Sequence, residues 1–269
     1  PDPAFGTNGR VELNPGTVVG IAYGPEMRPV PAPGGGYAVV TLVADGAGYV
    51  LSETRFTAAG ALDGADARRT YPLPGGAHLG YQIRTVPDGS GGYYVLGVLE
   101  RPLEERTVLV HDPAGRTVKG HGGAMVRERL LAISAARVLD PSFGAGGTTA
   151  PVVIGTGSQD PAAIAVLTRP ADGTVTVAGG DGNGNLQLVR WTASGALDAG
   201  YGSGGKALID AAPISLYPNA AAIDAAGRIL VFADKYPSGP LGAVARVTPS
   251  GALDAGFGTG GIVTTQPAG

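Results

Sequence analysis

Apolar residues along the chain come in short runs closed off by glycine, proline, aspartate or serine, and no stretch sustains the 3.6-residue period of an amphipathic helix. Tyr93-Tyr94-Val95-Leu96 follows the turn Asp88-Gly89, Thr174-Val175-Thr176-Val177 follows Asp172-Gly173, and Ile229-Leu230-Val231-Phe232 follows Ala226-Gly227. Upstream lie further apolar segments such as 163–167 and 220–223, and downstream come 186–191 and 243–247. A fourth run, Lys206-Ala207-Leu208-Ile209, follows a cluster of glycines. The pattern predicts short strands joined by tight turns, about four to a repeat.

Composition sharpens this picture. The 269 residues include 47 glycines and 22 prolines, and helix interiors tolerate neither well. Here they punctuate regular apolar segments, so the chain reads as globular and all-β rather than as low complexity.

Three segments superimpose almost without adjustment: Thr57-Ala58-Ala59-Gly60-Ala61-Leu62-Asp63, Thr192-Ala193-Ser194-Gly195-Ala196-Leu197-Asp198 and Thr248-Pro249-Ser250-Gly251-Ala252-Leu253-Asp254. Ser134 to Asp140 is a fourth copy, with Arg137 in place of the glycine, and Asp112 to Val118 reads as a worn fifth. The Leu-Asp pair runs into an aromatic-glycine signature at Asp140 to Gly147, Asp198 to Gly205 and Asp254 to Gly261, and Asp2 to Gly9 carries the same signature. Asp and Ser beside Gly favour tight turns, and one large aromatic per repeat suits a wedge between packed sheets. The expected architecture is one β-propeller over 1–269, of about five four-stranded blades with a repeat of 55–58 residues. The repeats are expected at 1–62, 63–117, 118–139, 140–197, 198–253 and 254–269, the last being partial. Successive turn positions 60, 115, 137, 195 and 251 leave one interval of only 22 residues, so the blade at 118–139 is expected to be incomplete. Ile262-Val263-Thr264-Thr265 is left as a surplus strand.

Leu-Asp-x-x-Phe-Gly-x-Gly-Gly preceded by Arg-x-x-x-x-Gly resembles the bacterial delta-sixty repeat, most closely at 190–205 and 246–261 and less so at 55–71 and 129–147. The resemblance implies a propeller-like array in large, often exported bacterial proteins, and brings no catalytic residues with it.

Charge and motif content narrow the function classes. A net charge of −3, from 19 basic and 22 acidic residues without a basic stripe, argues against a nucleic-acid partner. No apolar run approaches the roughly 20 residues of a spanning helix. The opening Pro1-Asp2-Pro3 lacks the pattern of a signal peptide, so a soluble mature chain or fragment is expected. With no cysteine there is neither disulfide nor thiolate metal site.

Asp181-Gly182-Asn183-Gly184-Asn185 has the alternating oxygens of half a calcium loop, but Thr192 stands where the twelfth-position acid belongs, and a glycine-rich hairpin turn is the expected reading. His78, His111 and His121 lack zinc-site spacing. Arg55, Arg190 and Arg246 recur at one position, either pinning turns through the signature aspartates or forming a ring toward an anionic ligand. The repetition of Asp63, Asp140, Asp198 and Asp254 argues against an acid–base pair, which should be an exception within a repeat. Glu100 to Arg106 is read as a solvated loop or a partner contact. Tyr93, Tyr94, Tyr217 and Tyr236 mark either a contact surface or core wedges.

No catalytic, cofactor or metal residues are therefore assigned, and no cofactor is expected. The expected function is a non-enzymatic binding or scaffold module of an exported or surface-associated bacterial assembly. Its partner would be a protein or glycan, met through loops and blade faces in an extracellular, cell-surface or periplasmic setting. The alternative is a propeller hydrolase or lyase with its site in a central channel.

Overall fold

The computed structural model describes residues 4, 6–7, 10, 28–45, 48–73, 79–99, 107–111, 117–121, 126–134, 136–154, 162–212, 215–236 and 241–264. Apart from one short 3-10 turn at Pro33–Gly35, its regular structure is antiparallel strand, as the punctuated apolar pattern requires.

The strands group into four units. Unit 1 holds β1 (Arg28–Pro31), β2 (Tyr37–Asp45), β3 (Gly48–Phe56) and β4 (Arg68–Tyr71). In unit 2, β5 (Leu79–Pro87) and β6 (Tyr93–Leu99) precede β7 (Thr107–His111), β8 (Thr117–His121), β9 (Val126–Ile133) and β10 (Val152–Ile154). Unit 3 is β11 (Ala162–Arg169), β12 (Thr174–Gly180), β13 (Leu186–Trp191) and β14 (Lys206–Ile209). Unit 4 is β15 (Ser215–Ile223), β16 (Ile229–Tyr236), β17 (Leu241–Val247) and β18 (Ile262–Thr264). Units 3 and 4 are separate four-stranded meanders, and units 1 and 2 are linked into one larger sheet through a single register pair, Tyr49 with Leu79.

This pairing explains the 22-residue interval differently from an incomplete blade. Strand β6 pairs directly with β9, from Tyr93 opposite Ile133 to Val98 opposite Glu128. Strands β7 and β8, which fall between them in sequence, pair with each other in a sheet of their own. Strands β7 and β8 are thus an addition between two neighbouring strands of unit 2, and 118–139 supplies β8 and β9 rather than a truncated repeat. Residues 112–116, including Gly115, lie outside the described residues. Ile262-Val263-Thr264 is not surplus either, because it pairs with Ala243 to Ala245 as the fourth strand of unit 4.

The core lies between consecutive units, because alternate residues of each strand face opposite neighbours. Val40, Leu51, Ile83, Val95 and Leu131 fill the space between units 1 and 2. Leu130, Phe143, Val175, Val177 and Trp191 do so between units 2 and 3. Leu186, Leu188, Tyr201, Val231 and Ala245 do so between units 3 and 4. Burying one such side chain contributes roughly 1.5–3 kcal/mol.

A recurrent hydrogen bond ties three of the aromatic-glycine signatures to the turn of the next repeat. The signature glycine of one repeat donates its N–H to the carbonyl just before the turn glycine of the next: Gly6 to Ala59, Gly144 to Ser194 and Gly202 to Ser250, at 2.8, 2.8 and 2.9 Å. Here glycine is a steric requirement. A Cβ at Gly251 would lie 3.0 Å from the Gly202 nitrogen and 3.2 Å from the Tyr201 ring.

Candidate functional site

The recurring arginines are the first candidates to place. Arg190 donates from Nε to Asp198 Oδ2 at 2.8 Å, lies 4.1 Å from the centroid of the Tyr201 ring, and donates from its guanidinium to the Pro249 carbonyl at 2.6 Å. Arg246 pairs with Asp254 at 2.8 Å and stacks 4.4 Å from the Phe257 centroid. The other oxygens of Asp198 and Asp254 accept the N–H groups of Gly200 and Gly256, and Asp140 accepts from the N–H and hydroxyl of Ser142. Two of the three arginines thus pin turns through signature aspartates. Arg55 departs from the rule, turning to Glu53 rather than to Asp63.

Tyr201 carries a consequence of its own. Its hydroxyl is buried without a hydrogen-bond partner, and burial pushes the phenol up to about 12. Phe143 and Phe257 stand at the same repeat position without that hydroxyl. Tyr201→Phe is expected to raise stability by about 1 kcal/mol, because it removes an unpaired polar group and keeps the wedge; chemical denaturation of the two proteins checks this.

Unit 1 holds the densest polar cluster. Glu53 is fully buried and its Oε1 accepts from Nε of Arg55 at 2.7 Å and Nε of Arg137 at 2.8 Å. Its Oε2 accepts from the hydroxyls of Tyr71 at 2.9 Å and Tyr93 at 2.5 Å. Burial pushes the carboxyl up, but the Tyr93 hydrogen bond, the Arg55 charge, the Tyr71 hydrogen bond and the Arg137 charge together outweigh it and hold the group below its ordinary value. The same burial, reinforced by the carboxylate, drives both phenols well above theirs.

Arg137 completes this cluster from the neighbouring unit. It occupies a turn-glycine position with φ of 62°, donates to the carbonyls of Asp66 and Ala67, and accepts from Arg69 at its own carbonyl. No aromatic-glycine follows Asp63, so the space that Phe143 and Tyr201 take in the later junctions is filled by the Arg137 side chain. Every oxygen of Glu53 is committed to protein donors, so the cluster is a junction rather than a reactive carboxylate.

The remaining sequence candidates are dispersed. Asp181 closes the β12–β13 turn, accepting from the backbone of Asn183 and Asn185 and from the Asn185 amide. Those bonds overcome burial and keep its carboxyl below the usual range, with the loop's own amides in the place of a cation. His111 and His121 stand at opposite ends of the β7–β8 ladder, whereas His78 and 100–106 lie outside the described residues. Tyr93 is a core residue, Tyr94 packs on Phe143 with centroids 5.3 Å apart, Tyr217 is half-buried, and Tyr236 ends β16. Among the described residues no group of three or more His, Asp or Glu side chains is placed to hold a metal ion, and no helix is long and apolar enough to cross a membrane.

What sequence reasoning missed is a cleft of about 680 Å³ beside β14. Val153 and Leu208 give it apolar area, while Asp181, Gln187, Ser203 and Lys206 line it with polar groups. Leu208 is 62% exposed. Its only signal in the sequence is a leucine at the outward position of a fourth strand. The described lining has one carboxylate, already held by its own loop, so it lacks the carboxylate pair of glycoside hydrolysis. A lining that mixes apolar area with a few polar groups is the make-up of a binding surface.

No family model matches the chain. None of the curated proteins matches it. Among solved structures, the catalytic domain of the Coprinopsis cinerea GH62 alpha-L-arabinofuranosidase is similar over 83% of this chain, at 15% sequence identity and a TM-score of 0.34. The chain spans 63% of the length of that domain.

Proposed function

We propose that the chain is a non-enzymatic binding or scaffold module, built of delta-sixty-type repeats in propeller order and working outside the bacterial cytoplasm on a protein or glycan partner. The propeller reading is supported by the meander order of the units and by the packing of their first strands, β1 on β5, β5 on β11 and β11 on β15. The observation that carries the binding reading is the cleft beside β14. The recurrent arginines and aspartates are spent on pinning their own turns and strands, and Arg190, Phe143 and Tyr201 on contacts with the next repeat. Lys206, Ser203 and the exposed Leu208 share one open surface.

The test is a screen of the purified chain against glycan and peptide panels, followed by titration of any ligand with the Lys206→Ala/Leu208→Ser variant. Both side chains sit at the surface, so the variant is expected to melt with the parent while its affinity falls by about tenfold or more. Binding that survives the substitutions, an empty screen, or turnover of a bound glycan would each overturn the proposal.

A further inference from the structure

We infer that the outer face of unit 4 is the open half of one more repeat junction, and that it takes a further repeat of the same build contributed by polypeptide outside residues 1–269. The inference rests on comparison of this face with its counterpart in unit 3 and is independent of what the cleft binds. Arg190 and Arg246 each stand eight residues before a signature aspartate, which sets the two units in register. In that register Ala207 and Tyr201 correspond to Val263 and Phe257 and Leu188 to Val244, so that Ala178, opposite Leu188, matches Phe232, opposite Val244; Ala178, Ala207 and Tyr201 are buried against unit 4. Ala178 is 0% exposed and Phe232 45%; Ala207 is 3% exposed and Val263 38%. Phe257 is half-buried where Tyr201 is fully enclosed.

The polar half of the junction is equally ready. Arg246 already holds Asp254 and stacks on Phe257, as Arg190 holds Asp198 and stacks on Tyr201. Arg190 goes on to the Pro249 carbonyl of the next turn, and Gly202 to that of Ser250. Among the described residues neither Arg246 nor the Gly258 N–H meets such a carbonyl. Larger apolar side chains, exposed at positions that are enclosed one repeat earlier, make this a continuation of an interface the molecule already uses three times.

The same comparison defines the occupant. It must offer small aliphatic side chains, as unit 4 offers Ile229, Val231, Ala233 and Ala245 to unit 3. It must also carry a turn with a carbonyl just before a glycine, since a side chain at that glycine would strike the aromatic wedge, as a Cβ at Gly251 would crowd Tyr201. A second copy of this chain does not meet these terms. On the corresponding face of unit 1 Thr41, Ser52, Thr54 and Phe56 are already buried, the exposed residue is the bulky Tyr37 rather than a small aliphatic one, and the Ala59 carbonyl already accepts from Gly6.

The experiment repeats residues 210–264 once after Thr264, in one version as they stand and in a second with Phe232→Ala in the original copy to restore the unit 3 residue. In at least one version the appended repeat is expected to gain amide-exchange protection on the scale of unit 4. Phe257→Ser in the original copy should cut that protection by about tenfold or more while leaving units 1–4 of the parent chain unchanged. An appended repeat that exchanges as unfolded chain in both versions, or stays protected despite Phe257→Ser, would overturn the inference. So would dimerisation of the parent chain, read by sedimentation, that Phe232→Ser abolishes.

Discussion

Glu53→Gln is expected to lower the unfolding free energy by about 4 kcal/mol, because it leaves the guanidinium groups of Arg55 and Arg137 buried without their counter-charge. The amide keeps the volume of the carboxyl, so lost packing contributes little and the effect reports the charge. It should concentrate at the junction of units 1 and 2, where β3, β4 and the 134–139 turn lose amide protection before units 3 and 4 do. Arg137→Gly in the same background should cost much less than in the parent, since the two residues act through one bond network. Linkage gives a second signature. The folded Glu53 carboxyl titrates below its ordinary value of 4.5, so its contribution is fully present above that pH and is lost as the pH falls through the depressed folded value. Urea unfolding of parent and variant across the acid range should therefore show stabilities that converge at low pH and separate as the pH rises.

That network also marks how far the sequence could be read. Strands, turns and the Arg–Asp pins of units 3 and 4 were legible because each depends on residues close together in the chain: Arg190 and Asp198 are eight positions apart. Glu53 gathers Tyr93 from 40 positions away and Arg137 from 84, and no local pattern joins them. A signal was nonetheless present. Glu53 interrupts an apolar position that Leu188 and Val244 hold in later repeats, the aromatic-glycine is missing after Asp63, and glycine is missing at 137. These departures are one structural event, the exchange of an aromatic wedge for an arginine.

The added hairpin was misread for the opposite reason. Asp112-Pro113-Ala114-Gly115 has the composition of any tight turn, and turn chemistry alone does not distinguish a repeat boundary from an insertion. The pairing of β6 with β9 does. The cleft beside β14 had no motif to announce it, since it is made of ordinary side chains brought together by packing between units.

The steric side of the junction is isolated by two glycines with the same φ. Gly64 and Gly195 both have φ of 80°, a left-handed conformation that costs an L-residue about 1 kcal/mol or somewhat more. A Cβ at Gly64 meets nothing within 4 Å, whereas one at Gly195 would lie 2.6 Å from the Gly144 nitrogen and 3.2 Å from the Phe143 ring. Backbone and a buried ring cannot yield as a flexible side chain does. Gly64→Ala is therefore expected to cost only the conformational penalty, and Gly195→Ala about 3–4 kcal/mol, because overpacking adds to it and the bond from Gly144 to the Ser194 carbonyl is pried open. Urea unfolding of the two variants side by side measures the difference. Arg137 gives the reason to expect it: a residue with a long side chain is accommodated at φ of 62° in the one turn whose facing signature has no aromatic-glycine, so at Gly195 the signature that docks there, more than the backbone angle, is what demands glycine.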